Sequence, residues 1–174
     1  ARLLVEQHEH FMRPALEEAS TALGEGEFPV GCVLVEGEQI LARARRKNST
    51  GTQANELDHA EVLAVRNLLT THPAPDCGKI TVYSTMQPCL MCYATLLLSG
   101  FRRFVWAYED VMGGGTELPL DRLPGLYAKM RVEEMPHVLR SESLALFQQF
   151  FRQYDYWRDS PLARYTLAQK PGDR

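Results

Sequence analysis

The sequence predicts an α/β layered domain built on a mixed sheet. Three observations carry that reading. The chain opens with a stretch whose apolar residues fall four apart. Two Val/Ile/Leu-rich runs then flank a Gly-containing turn. After them, runs of β-branched residues alternate with helix-like segments. At 174 residues the chain has the length of one domain with a real hydrophobic core. The expected layout is a single domain over 1–174, with its core at about 10–155 and a C-terminal tail over 156–174.

In chain order, Phe11, Ala15, Ala19 and Leu23 mark one face of a first helix. Pro14 is tolerated only in a first turn, so that helix is expected to begin near His10. "VGCVLVE" (30–36) and "QILARAR" (39–45) form a hairpin around Gly37. Residues 46–58, "RKNSTGTQANELD", hold only Ala54 and Leu57 as apolar residues and read as a long, functional loop. A helix follows from His59 to about Thr70, with Asp58 as its N-cap and Glu61 at the capping-box position. "KITVYST" (79–85) is a buried strand. Pro88 opens a helix that runs through Ser99 to a stop at Gly100. "FRRFVWAY" (101–108) is the next strand, 109–125 an irregular segment, and "KMRVEEM" (129–135) a last strand. Leu144, Phe147, Phe151 and Tyr154 place a final helix over 141–157.

Composition narrows the function classes. The hydrophobic fraction of 45% and charged fraction of 24% are those of an ordered globular chain. A formal net charge of −3 argues against a protein that lives on polyanions, though not against a local basic patch. The N-terminal stretch is broken by charge and does not read as a signal peptide. The longest apolar runs fall short of the ~20 residues a membrane span needs. The four cysteines, in a chain without a secretory signal, point to metal or redox chemistry in the cytoplasm rather than to disulfides. No membrane partner is expected.

The chemistry lies in "HAE" (59–61) and "PCLMC" (88–92). His59 opens one helix, and Cys89 and Cys92 open another. Adjacent βα units bring such helix starts to the same sheet edge. Cys89 and Cys92, at i and i+3, share a face, and the helix N-terminus stabilises thiolates. One His and two Cys make three ligands with an open fourth position, the arrangement of catalytic rather than structural zinc. Zinc in such a site lowers the pKa of a bound water to about 7. Glu61, two residues from a ligand, is placed to shuttle protons without binding the metal.

These residues spell the H-x-E…P-C-x-x-C signature of zinc base deaminases. The chain resembles the zinc-dependent cytidine/deoxycytidylate deaminase superfamily, closest to its tRNA adenosine deaminase and guanine deaminase branch. "FPVGCVLV" (28–35), Asn48, "HAEV" (59–62), "PCLMC" (88–92), Asp110 and "FFR" (150–152) carry the likeness, spread over about 10–155. The resemblance implies a three-layer αβα, cytidine-deaminase-like fold with a five-stranded mixed sheet between helices, and usually a homodimer. It implies Zn2+ on His59, Cys89 and Cys92, with Glu61 as the proton shuttle. It implies substrate contacts from Asn48, from the backbone N–H of Ala60, and from Phe28 and Val30 lining the pocket. Asp110 is either a loop-fixing residue or a substrate contact. Tyr156 and Trp157 lie past the helical stripe and can stack on a flat substrate or on a partner subunit.

Three departures bear on substrate. Gln87 stands where the family commonly has Glu. The loop "AYEDVMGGGTE" lacks the basic residues usual in the tRNA enzymes. Residues 152–174 hold five Lys/Arg against three Asp, a weak footprint for gripping RNA. Against this, Arg43, Arg45, Arg46 and Lys47 run into Asn48, as a solvated strand end or a phosphate contact. The expected activity is hydrolytic deamination of a small nucleobase or nucleoside, purine type favoured. The alternatives are the wobble adenosine of a tRNA and a catalytically silent zinc-binding partner subunit. Cys32 reads as a buried hydrophobe and Cys77 as an incidental thiol.

Overall fold

The computed structural model describes residues 2–170 and 172. The elements run in the order α1 (Arg2–Gly24), β1 (Gly31–Glu36), β2 (Gln39–Arg45), α2 (Ala60–Thr71), β3 (Ile80–Met86), α3 (Leu90–Ser99), β4 (Arg103–Tyr108), α4 (Gly125–Ala128), β5 (Glu133–Met135), α5 (Arg140–Gln153) and α6 (Pro161–Ala168), with short 3-10 turns at Cys77–Lys79 and Leu120–Arg122. The five strands form one mixed sheet in the order β2-β1-β3-β4-β5. β1 is antiparallel to both β2 and β3, whereas β4 is parallel to β3 and β5 to β4.

Alternation along the strands sends side chains to two layers. Val33, Val35, Tyr83, Val105 and Ala107 meet Phe11, Met12, Ala15 and Leu16 of α1 on one face. Leu34, Val82 and Phe104 meet Ala64 and Leu68 of α2 and Tyr93 and Leu96 of α3 on the other. α5 lies beside α1, and its Phe147 and Phe150 carry the second cluster round the end of the sheet to Phe28. The result is the expected three-layer αβα arrangement. Gly31 is required where α1 crosses β1. A Cβ there would overlap the Ala15 carbonyl and lie 2.7 Å from the Ala19 nitrogen.

Several boundaries differ from expectation. α1 begins at Arg2 and runs through Pro14. Burial of Phe11, Ala15 and Ala19 against the sheet outweighs the roughly 3 kcal/mol an internal proline costs. Asp58 does not cap α2. The N-cap is His59, without a side-chain cap bond, and the Asp58 carboxylate accepts from Asn48 and Asn55, at 2.8 Å each. The last strand shortens to three residues and α3 starts at Leu90 rather than Pro88. The final helix stops at Gln153, where Tyr154 turns extended yet still packs on Phe150, centroids 5.0 Å apart. Residues 161–168, expected in a tail, form α6. Its Ser160 N-cap accepts from the Ala163 amide, and Leu162 and Ala163 are buried.

Candidate active site

The parallel strands β3 and β4 end at Met86 and Tyr108 on the same sheet edge, where β1 begins and β2 finishes. The chain leaves β3 into α3 and reaches α2 through the 46–58 loop, so both helix starts arrive at that edge. The Gln87 amide donates to the Tyr108 carbonyl at 2.7 Å and locks the two strand ends together. His59 and Cys89 are the N-caps of α2 and α3, both with extended backbone. A cavity opens between them.

His59, Cys89 and Cys92 converge there, with their ligand atoms all within 4.8 Å of one another. The His59 Nδ1 lies 3.6 Å from the Cys89 Sγ and 3.5 Å from the Cys92 Sγ. Zinc bonded to sulfur at ~2.3 Å and to nitrogen at ~2.0–2.1 Å in a tetrahedron has N···S edges of about 3.5 Å. The donor set and its spacing therefore fit zinc. Cys89 is poised as a thiolate. The thiol of Cys92, then the His59 imidazole and the Cys92 N–H at 3.5 Å, hold its pKa down to about 4 against the effect of burial. Cys92 is pushed the opposite way, first by its bond to Cys89 and then by burial.

Glu61 sits in the first turn of α2, only 4% exposed. Its Oε1 accepts from the Ser84 hydroxyl of β3 at 2.7 Å, and its Oε2 lies 3.1 Å from the Cys92 Sγ. Burial, and after it the Cys89 charge, raises its pKa. A carboxylate raised in this way is a better proton acceptor near neutral pH.

Phe28, Val30, Ala60, Asp110 and Trp157, all expected at the substrate pocket, line the cavity together with His59, Glu61 and Cys89. Cys92 lies buried behind them. Asn48 does not line the cavity. It takes a positive φ of 54°, and its amide donates to Asp58 at 2.8 Å. Asp110 is held as a loop-fixing residue, its Oδ1 accepting from the Met112 and Gly113 amides at 3.0 and 2.8 Å, although it also faces the cavity. Trp106 and Tyr108 do not reach it. Trp106 donates to Glu134, and the Tyr108 hydroxyl bonds Thr166.

Gln87 has a definite structural role. Its Oε1 accepts from the Asp110 amide at 3.0 Å and its Nε2 donates to Thr116 at 2.7 Å, which fastens the 109–116 loop over the start of α3. Gly114 and Gly115 permit that contact. A Cβ on Gly115 would lie 2.6 Å from the Leu90 Cα and 2.9 Å from the Cys89 carbonyl carbon.

The basic run resolves by strand alternation. Arg43 and Arg45 point to α1, where they pair with Glu17 and Glu18, and Arg45 also pairs with Glu25 just past its end. Arg46 points the other way, is 2% exposed, and lines the cavity. It donates to the carbonyls of Lys47, Asp58 and Asn55, and to Glu56 at 3.1 Å. Lys47, beyond the end of β2, is exposed. Arg46, Met86, Met112 and Leu162 are cavity residues that motif spacing did not reveal. The alternation in "ARARR" and the Ser160-Pro161 helix start were the signals for Arg46 and Leu162.

Residues 5–108 match the family described as the cytidine and deoxycytidylate deaminase zinc-binding region. The chain belongs to this family and is a zinc-dependent hydrolytic deaminase. It is 31% identical over 147 residues to a tRNA-specific adenosine deaminase of Bacillus subtilis (strain 168), covering 84% of this chain and 90% of that protein. To a tRNA-specific adenosine deaminase of Rickettsia bellii it is 28% identical over 141 residues, covering 81% and 97%. Among solved structures, a chain from a study of A-to-I editing by tRNA:A34 deaminases at the wobble position of transfer RNA is similar with a TM-score of 0.69 at 27% identity, covering 79% of this chain and 98% of that one. No helix among the described residues is long and apolar enough to cross a membrane.

Proposed function

We propose that this protein deaminates an adenosine presented by a transfer RNA, converting it to inosine with release of ammonia. The small purine substrate expected from charge and composition becomes the second reading. The observation that carries the proposal is the likeness to tRNA-specific adenosine deaminases across more than four-fifths of the chain. The cavity is compatible with it. Its mouth is rimmed by Trp157, 46% exposed, and Met112, 39% exposed, apolar groups on which a base swung out of a loop can rest.

In this reading His59, Cys89 and Cys92 hold zinc, which when bound supplies Lewis-acid activation of water. Water adds to C6 of the adenine. Glu61 takes a proton from that water and delivers it to ring N1. It then carries a second proton to the departing amine, and ammonia leaves as the C6 carbonyl forms. Ser84, bonded to Oε1, fixes the carboxylate, whose Oε2 lies 3.1 Å from the Cys92 sulfur. Phe28, Val30 and Met86 form apolar walls that exclude bulk water. Asp110 supports the rim, and the Ala60 amide serves as a contact for the base.

One observation favours the second reading, a free purine base or nucleoside. Arg43, Arg45 and Arg46 are engaged by carboxylates, leaving them unavailable for phosphates. The silent-subunit reading is disfavoured by an intact, buried and hydrogen-bonded Glu61. The test is ammonia and inosine formation by zinc-loaded protein on adenine, guanine, cytosine, their nucleosides and monophosphates, and a tRNA with an anticodon adenosine. Turnover of the tRNA alone supports the proposal. Turnover of a free base or nucleoside, with none of the tRNA, replaces it by the second reading. Light scattering on the same preparation tests the expected homodimer.

A further inference from the structure

We propose that Glu56 positions His59 as a metal ligand, and that Arg46 and Tyr156 hold the Glu56 carboxylate to that task. The wall that closes the cavity would then also govern how tightly the metal is kept. The inference rests on His59 being an imidazole ligand, and its test is chosen to separate the two assignments.

His59 Nε2 is buried and lacks a hydrogen bond among the described residues. Its Nδ1 faces both sulfurs, at 3.5 and 3.6 Å. A neutral imidazole that gives Nδ1 to a metal carries its proton on Nε2. That N–H needs an acceptor, and the Glu56 Oε2 stands 3.6 Å away. A small rotation of either side chain brings the pair within hydrogen-bond reach. A carboxylate there fixes the tautomer and the ring orientation and raises the basicity of the ligating nitrogen.

Glu56 is itself exposed on one side and would swing freely without restraint. Two groups restrain it. The Tyr156 hydroxyl lies 2.6 Å from Oε1 and 2.9 Å from Oε2, and the buried Arg46 guanidinium donates to Oε2 at 3.1 Å. Tyr156 in turn packs on Phe28, centroids 5.2 Å apart, and both line the cavity. One carboxylate thus joins a metal-side imidazole to the C-terminal aromatic wall.

The experiment measures the zinc dissociation constant of the full chain by chelator competition, without substrate, with the 15N NMR signature of the His59 ring as a second readout. Glu56→Ala is expected to weaken zinc binding by about 10- to 100-fold. Glu56→Gln keeps a carbonyl oxygen for Nε2–H and should lose only part of that. Tyr156→Phe should lose several-fold, with thermal melting of the apo-protein near that of the parent. Zinc affinity within twofold of the parent in Glu56→Ala overturns the proposal. Should that variant fail to fold, Glu56→Gln decides, and an unchanged affinity with an unchanged Nε2 resonance overturns it. His59→Ala is the control. If it keeps full zinc affinity, the ligand assignment itself is wrong; if it loses zinc while Glu56→Ala does not, only the positioning role fails.

Discussion

On one wall of the cavity, His59, Glu61 and Cys89 sit at or near the starts of two helices; on the other, Asp110, Met112, Tyr156, Trp157 and Leu162 come from segments that meet only in the fold. The first wall lies inside the family match at 5–108, and the second lies wholly beyond it. Reactivity is thus built from short spacing on regular elements, where two residues of sequence set an atom's position. The opposite wall is assembled by long-range bonds, such as Tyr156 to Glu56 and Tyr165 to Glu109. On the proposed function, the difference teaches that reaction type and substrate choice are encoded at different ranges in this chain.

Perturbing the two walls should separate those roles. The largest effect is expected at Glu61. Glu61→Gln should lower turnover by about 10²- to 10⁴-fold with zinc content unchanged by metal analysis. Turnover near the parent value would remove the carboxylate from the mechanism. Chelation of the metal should abolish activity, and added zinc should restore it. Gly115→Ala tests the seam between the walls. The new methyl must push on the backbone of Cys89 and Leu90, so stability should fall by about 1–3 kcal/mol and zinc should be held less tightly. A thermal melt and a zinc titration like those of the parent would show that the 109–116 loop yields freely.

A smaller, pH-dependent effect belongs to Glu109. Burial alone would raise its carboxyl, but Arg140, bonded at 2.7 Å through both Nε and Nη2, and then Tyr165 bring it down to about 2 from an ordinary 4.5. A depressed pKa in the folded state contributes stability that is complete above about 4.5 and lost as pH falls towards about 2. After screening at its exposed edge, on the order of 1–2 kcal/mol is expected. Denaturant melts across that range should be flatter in Glu109→Gln, and a parallel pH dependence in both proteins would contradict this. The smallest effect is expected at the rim. Trp157→Ala should raise KM several-fold with little change in kcat, since one exposed stacking contact is worth on the order of 1 kcal/mol. A loss confined to kcat would mean that the indole acts on the chemistry instead.

The same division explains what could be read from the residues alone. The hairpin, the two zinc-side helices and the parallel strands were legible, because apolar period, Gly and Pro mark them locally. So was the convergence of His59, Cys89 and Cys92 with Glu61 beside them, which short spacing at two helix starts brings about. The through-going helix at Pro14 was not legible, because tertiary burial of Phe11 and Ala15 overrides a local penalty. Asp58 looked like a cap, but two distant amides claim its carboxylate. Trp157 was singled out beyond the helical stripe, yet Leu162 was not, since its place depends on α6 folding back to bond Tyr108 through Thr166. Arg46 resembled its neighbours until strand alternation separated it from them.

The antiparallel pairing of β1 with β3 and the parallel pairing of β3 with β4 give the sheet two unlike ends. Val30 and Met86 face the cavity, whereas Glu36 pairs with Ile80 at the far end and the chain turns at Gly37. That turn is open, with nothing within 4 Å of an added Cβ. Gly37 itself takes a φ of 60°, so a fluorophore, an affinity tag or a surface tether carried by the exposed neighbour Glu38 would report on the enzyme without entering its reaction space.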